Sequence, residues 1–546
     1  MLASRTHLPG IPVARAWLLL LSAALFTSSA GSGIFYLTIL HTNDIHGGIT
    51  PRAASFLNPD FPPMIGGGAH ISEYVERVRS DCEEAGEYCL LFDAGDIYQG
   101  TPIGNYDAGS FVMEWMNEVG YDLMTLGNHD FDDGADNAIR LADMARFPVV
   151  ACNFVSAETG SIPDPVQSYV FYDFEGVRIA VIGVATSDTY GLVDASMLEG
   201  YLFLNEIETV ERYIGEVRQE GADIVILLSH LGQPSDPEVY QQRIFEAWER
   251  GEEYEKSFAM NNAELSTLIR GIDLIVSGHI HYGLRQPWVN PVTHTIVVQG
   301  YANGTGLCRI RLAIDPETRM LVGYDLPENG EAYVNLLHDE HWFDQEVREM
   351  LDSFRDVAEE GMDEVIGEAT AEISRGPAEH PVGRLVADAM LWRTGADVSL
   401  MNRGGIRAVI PRGPITPRIV YEALPFDEDL YVFELTGAEL LEVLETGMKG
   451  RRRDMELGGA TAIRNQSLED MAKIEQLLID GQPVDSAEVY TFVTTGYLAS
   501  GNVGYDVLIT HSAVNTGYSL FESVLDYIRE HSPLSPDNDL RVVWTD

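Results

Sequence analysis

The stretch TLGNHDFDDG, residues 125–134, closes an apolar run with Asn128, His129, Asp130 and Asp132. A turn needs only a glycine and one Asn or Asp, so this one carries more chemistry than its backbone requires. Other apolar runs end the same way. LTILHT is followed by Asn43, Asp44 and His46, LLFDA by Gly95 and Asp96, DIVILLS by His230, and DLIVSG by His279 and His281. In open α/β sheets functional groups gather beyond the carboxyl ends of the strands. If these runs are strands, they deliver Asp, His and Asn to one sheet edge. Taken singly, each is an ordinary turn acid or a satisfied histidine; together they are a ligand set. Imidazoles, carboxylates and an amide oxygen without thiolates suit Zn, Mn or Fe, whereas an all-oxygen magnesium site would not need the histidines. There are too many ligands for one tetrahedral ion. They suit two divalent ions roughly 3.5–4 Å apart that share a carboxylate and a bridging hydroxide. Asp96, in its GD turn, is the best bridge.

The elements that must position these residues alternate along the chain. From about residue 34 to 312, FYLTILHT, YCLLFDA, YDLMTL, VRIAVIGVA, DIVILLSH, DLIVSG and TIVVQG have the character of strands. GAHISEYVERVRSD and AGSFVMEWMNEV have helical periodicity, giving an α/β layered region. A charged helix-prone stretch, His341 to Glu360, connects to a second α/β region with ADVSLMN, LYVFELT and VYTFVTTGYL as strands.

Composition narrows the partners. The 546 residues exceed one ordinary core, and a hydrophobic content of 45% is that of a globular protein. With 85 acidic against 35 basic residues the formal charge is −50, which repels nucleic acid and anionic membranes. An anionic substrate then needs a local positive site, supplied by bound metal and arginines. Arg5 and Arg15 precede AWLLLLSAALF and the small residues TSSAGSG, the layout of an export signal cleaved near Ala30. That apolar run is short for a membrane span. A secreted or periplasmic protein without stable membrane insertion after cleavage is expected. Cys82 and Cys89 flank EEAGEY, a loop that a disulfide could staple in that compartment, while Cys152 and Cys308 sit in buried-thiol contexts.

The motifs NDIHG, GDIYQGTP, GNHDFD, SHLG and GHIH, in that order, resemble those of the calcineurin-like metallophosphoesterases, and GDIYQGTP with GNHDFD resembles the branch containing the 5′-nucleotidases. The resemblance implies an N-terminal four-layer α/β/β/α metallophosphoesterase sandwich followed by a C-terminal α/β 5′-nucleotidase domain. One metal would take Asp44, His46, Asp96 and His281; the other Asp96, Asn128, His230 and His279. His129 would face the substrate, stabilising the phosphoryl oxygens or protonating the leaving alkoxide, with Asp132 holding its imidazole. A helix N-cap is the alternative for Asp132. Asp130 and Asp133 are taken as surface acids.

In the second region MNRGGIRAVI follows ADVSL. Its glycines let backbone approach a ligand, flanked by Asn402 and Arg407; a tight turn with a surface arginine fits the residues equally well. NRGGIR, ITPRIVYEALPFDEDL and TTGYLASGNVGY resemble the 5′-nucleotidase C-terminal domain. That resemblance implies a nucleotide site with Asn402, Gly404, Gly405 and Arg407, a base sandwiched by Phe426 and Tyr497, and a phosphate-binding arginine at Arg375 or Arg384. Two departures stand out: Val503 occupies the place of the family's ribose-binding aspartate, and Asp427 and Glu428 follow Phe426.

The expected organisation is a signal peptide at 1–30, a phosphoesterase domain at 34–338, a linker helix at 339–362 acting as a hinge, and a substrate-binding domain at 363–546. The expected function is hydrolysis of nucleoside 5′-monophosphates by a metal-bridging hydroxide, with two divalent ions as cofactors. The same hydrolase acting on nucleotide sugars, cyclic nucleotides, other organic phosphates or a sulfur ester is the alternative. An exported, metal-stabilised binding protein is the non-enzymatic one.

Overall fold

Strands buried on both faces are near-continuous apolar runs rather than alternating ones, and the runs identified above behave this way. The computed structural model describes residues 33–545 other than 55–57, 59–60, 194, 253, 255–259, 377–379, 427, 450–454 and 466. The expected signal peptide and Asp427 fall outside the described residues. Among those described, no helix is long and apolar enough to cross a membrane.

The strands that matter are β1 (Phe35–Thr42), β2 (Tyr88–Asp93), β3 (Leu123–Thr125), β4 (Val177–Val184), β5 (Ile224–Ser229), β6 (Leu274–Ser277), β7 (Ile296–Gln299) and β8 (Gly306–Asp315). They form two sheets. In the first, β1, β2 and β3 run parallel and β8 pairs antiparallel to β1. In the second, β4, β5, β6 and β7 are all parallel. Leu37, Ile39 and Phe92 from the first sheet pack against Val181, Ile226 and Val276 from the second. Helices cover both outer faces: α1 (Gly68–Ala85) and α2 (Ser110–Val119) on the first sheet, α3 (Glu206–Gln219) on the second. This is the four-layer α/β/β/α sandwich. The strands that carry the candidate ligands therefore belong to two facing sheets rather than one edge, and their carboxyl ends meet at a common rim.

Helix α4 (Gln345–Ala358) occupies the connecting stretch. Asp344 caps it by accepting from Glu346 N and Val347 N, at 2.9 and 3.1 Å. Its apolar face, Val347 and Leu351, joins the core under α1 and α2, and Phe354 stacks on Phe111 with ring centroids 4.1 Å apart.

Beyond it, β9 (Val398–Asn402), β10 (Asp429–Thr436) and β11 (Val489–Thr495) lie in a five-stranded sheet, with β9 parallel and β10 antiparallel to β11. Helix α5 (Pro381–Thr394) packs against it, and a separate four-stranded sheet is built from Ala460–Asn465, Ile474–Ile479, Gln482–Pro483 and Val542–Thr545. The run expected as one strand through Leu498 stops at Thr495, where Gly496 opens a short helical turn.

Cys82 and Cys89, the pair that a disulfide could staple, are free thiols in this structure, as are Cys152 and Cys308. Helix α1 runs through Ala85, so Cys82 lies in its last turn and donates to Thr38 Oγ1 at 3.6 Å, while Cys89 is a residue of β2. Cys152 and Cys308 are buried, as expected.

One buried histidine makes stability depend on pH. His380 caps α5, its Nδ1 accepting from Gly383 N at 3.2 Å. Burial, helped by nearby Arg403 and Arg375, lowers its pKa from 6.5 to about 4. The unfolded chain thus binds this proton first, so stability falls as pH drops from 6.5 towards 4. His380→Asn keeps a capping side chain and removes the titration. The variant should lose on the order of 2 kcal/mol less than the parent between pH 7 and 4.5, measured by denaturant unfolding at the two pH values.

Candidate metal and substrate site

At the common rim the turns after β1, β2, β5 and β6 place their side chains in two overlapping groups. Asp44, His46, Asp96 and His281 form one, and Asp96, His230 and His279 the other, with ligand atoms in each within 4.8 Å of one another. Asp96 is shared. Asp44, Asp96 and His230 are fully or almost fully buried. Asn128, also buried, leaves Oδ1 without a hydrogen-bond partner.

The backbone is bent to make this possible. Asp44, His46, Asp96, His279 and His281 all have positive φ, between 48° and 97°. Each such non-glycine residue costs on the order of 1 kcal/mol or more, and such outliers gather at functional sites. Gly95, at φ 91°, and Gly127 pack face to face, and a Cβ on Gly127 would collide with the Asp96 carboxylate.

The donor chemistry fits cations. His46 Nδ1 donates to the Gln99 carbonyl at 2.8 Å and His230 Nδ1 to the Ala94 carbonyl at 2.6 Å. This turns Nε2 of both rings inward, the usual orientation of a metal-ligating imidazole. These nitrogens meet polar neighbours at short range: His46 Nε2 lies 2.9 Å from His281 Nε2, and His230 Nε2 lies 3.1 Å from Asp96 Oδ2. Against the lowering effect of burial, Asp96 and Asp44 push His230 up to about 10, so a proton is shared at the His230–Asp96 contact as one is between His46 and His281. A divalent ion would take the place of such protons. Burial holds His46 and His279 near pKa 3, so both stay neutral and able to ligate. Burial opposes the Asp96 charge, but His230 and His129 outweigh it and hold that carboxyl well below its ordinary range.

His129 stands beside the groups. Its Nδ1 donates to Asp132 Oδ2 at 2.8 Å and its backbone N–H to Asp96 Oδ1 at 2.7 Å. Burial alone would lower the imidazole pKa; Asp132 and Asp96 push it up to about 9. Asp132 follows a single 3₁₀ turn, His129–Phe131, rather than capping a long helix.

Asp130 is not a surface acid. It is 1% exposed and accepts from Gly127 N (2.7 Å), Asp96 N (3.0 Å) and Ile97 N (3.0 Å). One carboxylate thus ties the turn bearing Asn128 to the turn bearing Asp96. An isolated sequence offers no sign of this, since the donors are backbone groups of another segment. Asp130→Asn replaces one acceptor oxygen by an NH₂ that faces backbone donors. Bound metal should fall and kcat drop about 10–100-fold, read by elemental analysis and steady-state kinetics. Asp133 is exposed, as expected.

From these groups a cavity of about 690 Å³ extends to the second half of the chain, within the usual range for small-ligand sites. Its far wall holds Asn402, Gly404, Gly405, Arg407, Phe426 and Tyr497, and Val503 lines it too. The rim geometry follows from the sheet: the carboxyl ends of β9 and β11 and the amino end of β10 lie together. Arg407 sits over the Phe426 ring at 5.2 Å, and Phe426 faces His129, ring centroids 6.2 Å apart and 19° from parallel. Glu428 accepts from Tyr497 N at 2.8 Å, linking the segments that bear the two aromatics. Val503 holds φ 58°, unusual for a β-branched residue.

Two candidates fall elsewhere. Arg384 is fully buried in α5, donates to the Asp537 carbonyl at 2.9 Å and does not line the cavity. The helix phase turns it inward, under the C-terminal segment. Arg375 is exposed and close enough to Arg407 to depress its guanidinium, second to burial, but is not part of the wall. Conversely, Leu192, Val193 and Met197, between β4 and α3, form an apolar side of the cavity that no motif signalled.

Comparison with known proteins gives the family of both halves of the chain. Residues 37–283 match the calcineurin-like phosphoesterase family and residues 365–510 the 5′-nucleotidase C-terminal domain. The chain is 26% identical to a 5′-nucleotidase of Vibrio parahaemolyticus, covering 94% of each. It is also 26% identical to protein UshA of Escherichia coli, over 92% of each. The solved structure of a 5′-nucleotidase precursor from Thermus thermophilus superposes with a TM-score of 0.73 at 26% identity, over 93% of this chain and 99% of that one.

Proposed function

The chain belongs to the 5′-nucleotidase family of calcineurin-like phosphoesterases, hydrolases acting on phosphate esters, and we propose that it is an exported enzyme releasing phosphate from nucleoside 5′-monophosphates. One observation carries the reading: a single cavity opens on the Asp/His groups at one end and on Arg407, Phe426 and Tyr497 at the other. A phosphate at the first end and a base between the aromatic rings would span it, with stacking contributing ~1–3 kcal/mol. The relatives named 5′-nucleotidase support the substrate class. The working boundaries are 34–338 for the phosphoesterase domain, 339–362 for the linker and 363–546 for the substrate-binding domain, with secretion directed by residues 1–30.

Asp44, His46, Asp96 and His281 would hold one divalent ion, and Asp96, Asn128, His230 and His279 a second. When bound there, such ions supply Lewis-acid activation of water and of the phosphoryl oxygens. The chain's own residues do the rest. Gln99 O and Ala94 O keep two imidazoles in their ligating orientation. Asp132 holds His129 protonated through Nδ1, leaving the other ring nitrogen to donate to a phosphoryl oxygen or the departing alkoxide. Arg407 and the glycine backbone after Asn402 orient the nucleotide.

Val503 favours a second reading, the same hydrolase with a different ester, because its side chain offers no hydrogen bond to a ribose. The test is phosphate release by the mature protein, stripped and reloaded with Mn or Zn, on AMP, UMP, UDP-glucose, a 2′,3′-cyclic nucleotide and 4-nitrophenyl phosphate. Selective turnover of the monophosphates is expected. Equal or better turnover of 4-nitrophenyl phosphate would refute the nucleotide assignment while retaining the hydrolase.

A further inference from the structure

Gln99 touches both halves of the site. Its backbone carbonyl accepts from His46 Nδ1 at 2.8 Å, while its side-chain Nε2 donates to the Pro425 carbonyl at 3.4 Å, one residue before Phe426. The side chain is 7% exposed, lines the cavity, and leaves Oε1 without a hydrogen-bond partner. Donation to a carbonyl requires the amide nitrogen to face Pro425, so Oε1 must be the other arm. The backbone here is left-handed, φ 66°, a conformation that glycine or asparagine adopts more cheaply than a long side chain. A glutamine at such a position bears strain that a turn alone does not require.

We propose that Gln99 is a positioning residue for substrate selection: its side-chain amide holds the Pro425–Phe426 segment in register over the metal groups, so that the stacked base and the reacting phosphate are aligned together. This deepens the nucleotide reading of the same cavity and rests on it. The two functions of Gln99 are chemically separable. The contact that orients His46 uses the main chain, which any substitution retains, whereas the contact that orients Phe426 uses the amide alone. The Phe426 ring is itself placed against two functional groups, Arg407 at 5.2 Å and His129 at 6.2 Å. A shift of the Pro425 segment would move the base slot relative to both, and small misplacements of a reacting group are costly in rate.

The variant that tests this is Gln99→Asn. Asparagine suits the left-handed backbone, so the turn is retained, but its amide is one methylene too short to reach Pro425. Gln99→Ala is the second variant, removing the amide altogether. Each is measured against the wild-type holoenzyme for kcat/KM on AMP and on 4-nitrophenyl phosphate, which has no base to place, together with bound metal. The expected result is a fall of about 10–100-fold in the AMP to 4-nitrophenyl phosphate ratio in both variants, with wild-type metal content. An unchanged ratio overturns the proposal, and so does a parallel loss of both activities with loss of metal, which would mean that Gln99 acts through His46. Wild-type enzyme with no preference for AMP would instead overturn the nucleotide reading itself, and this inference with it.

Discussion

Asp96→Ala should yield a protein that folds, binds almost no divalent metal and has lost at least ~10³-fold in kcat/KM, equivalent to ~4 kcal/mol of transition-state stabilisation. The size of the effect follows from the position of the carboxylate. It belongs to both ligand groups and accepts the His129 backbone N–H. Removing it subtracts a ligand from each group and releases the His129 turn. The fold should survive because the apolar core between the two sheets does not involve this side chain. His281→Ala is the informative partner. It belongs to one group only and its side chain is 43% exposed, so it should lower metal content by about one ion with an intermediate loss of rate. Metal analysis after equilibrium dialysis against buffered Zn or Mn checks both. Two variants with the same residual metal would refute the shared role of Asp96.

His129→Ala should leave metal content intact and still reduce kcat by ~10²–10⁴. The imidazole is no member of either ligand group, and its protonated form is sustained by Asp132 at 2.8 Å. The dependence on leaving group separates its two possible roles. If it protonates the departing alkoxide, the loss is large with AMP, a poor leaving group, and small with 4-nitrophenyl phosphate. If it stabilises charge on the phosphoryl oxygens, both substrates lose equally. Asp132→Asn should reproduce the pattern with a smaller loss, about 10–100-fold, because the imidazole remains but loses its anionic partner. A His129→Ala enzyme within threefold of wild type on both substrates would remove this residue from the mechanism.

The candidate ligands were legible in the primary structure because strand ends impose a pattern on a linear chain. An apolar run followed by Asp, His or Asn marks both the strand and the place where it stops being buried. Asp44, His46, Asp96, Asn128, His230, His279 and His281 stood out as candidate ligands this way, whereas the glycines between Asn402 and Arg407 fitted a plain turn equally well and Phe426 and Tyr497 came only from the family resemblance. Asp130 was misjudged for a physical reason. Its partners are the backbone N–H groups of Gly127, Asp96 and Ile97, which have no letter in a sequence. Arg384, one of the two arginines offered for the phosphate, lies away from the cavity because α5 buries it by helix phase. Leu192, Val193 and Met197 were invisible because apolar residues near a cavity look like those in a core.

By itself, then, the sequence determined the class of chemistry and the local elements, since ligand type and strand periodicity are properties of short segments. Only the tertiary structure decided that these residues come from two facing sheets, that Asp130 ties the turns of Asn128 and Asp96 together, and that Gln99 and Phe426 from distant segments close one cavity. Those facts depend on how layers pack and on where backbone donors end up, which are fixed by burial across the whole chain rather than by any one segment.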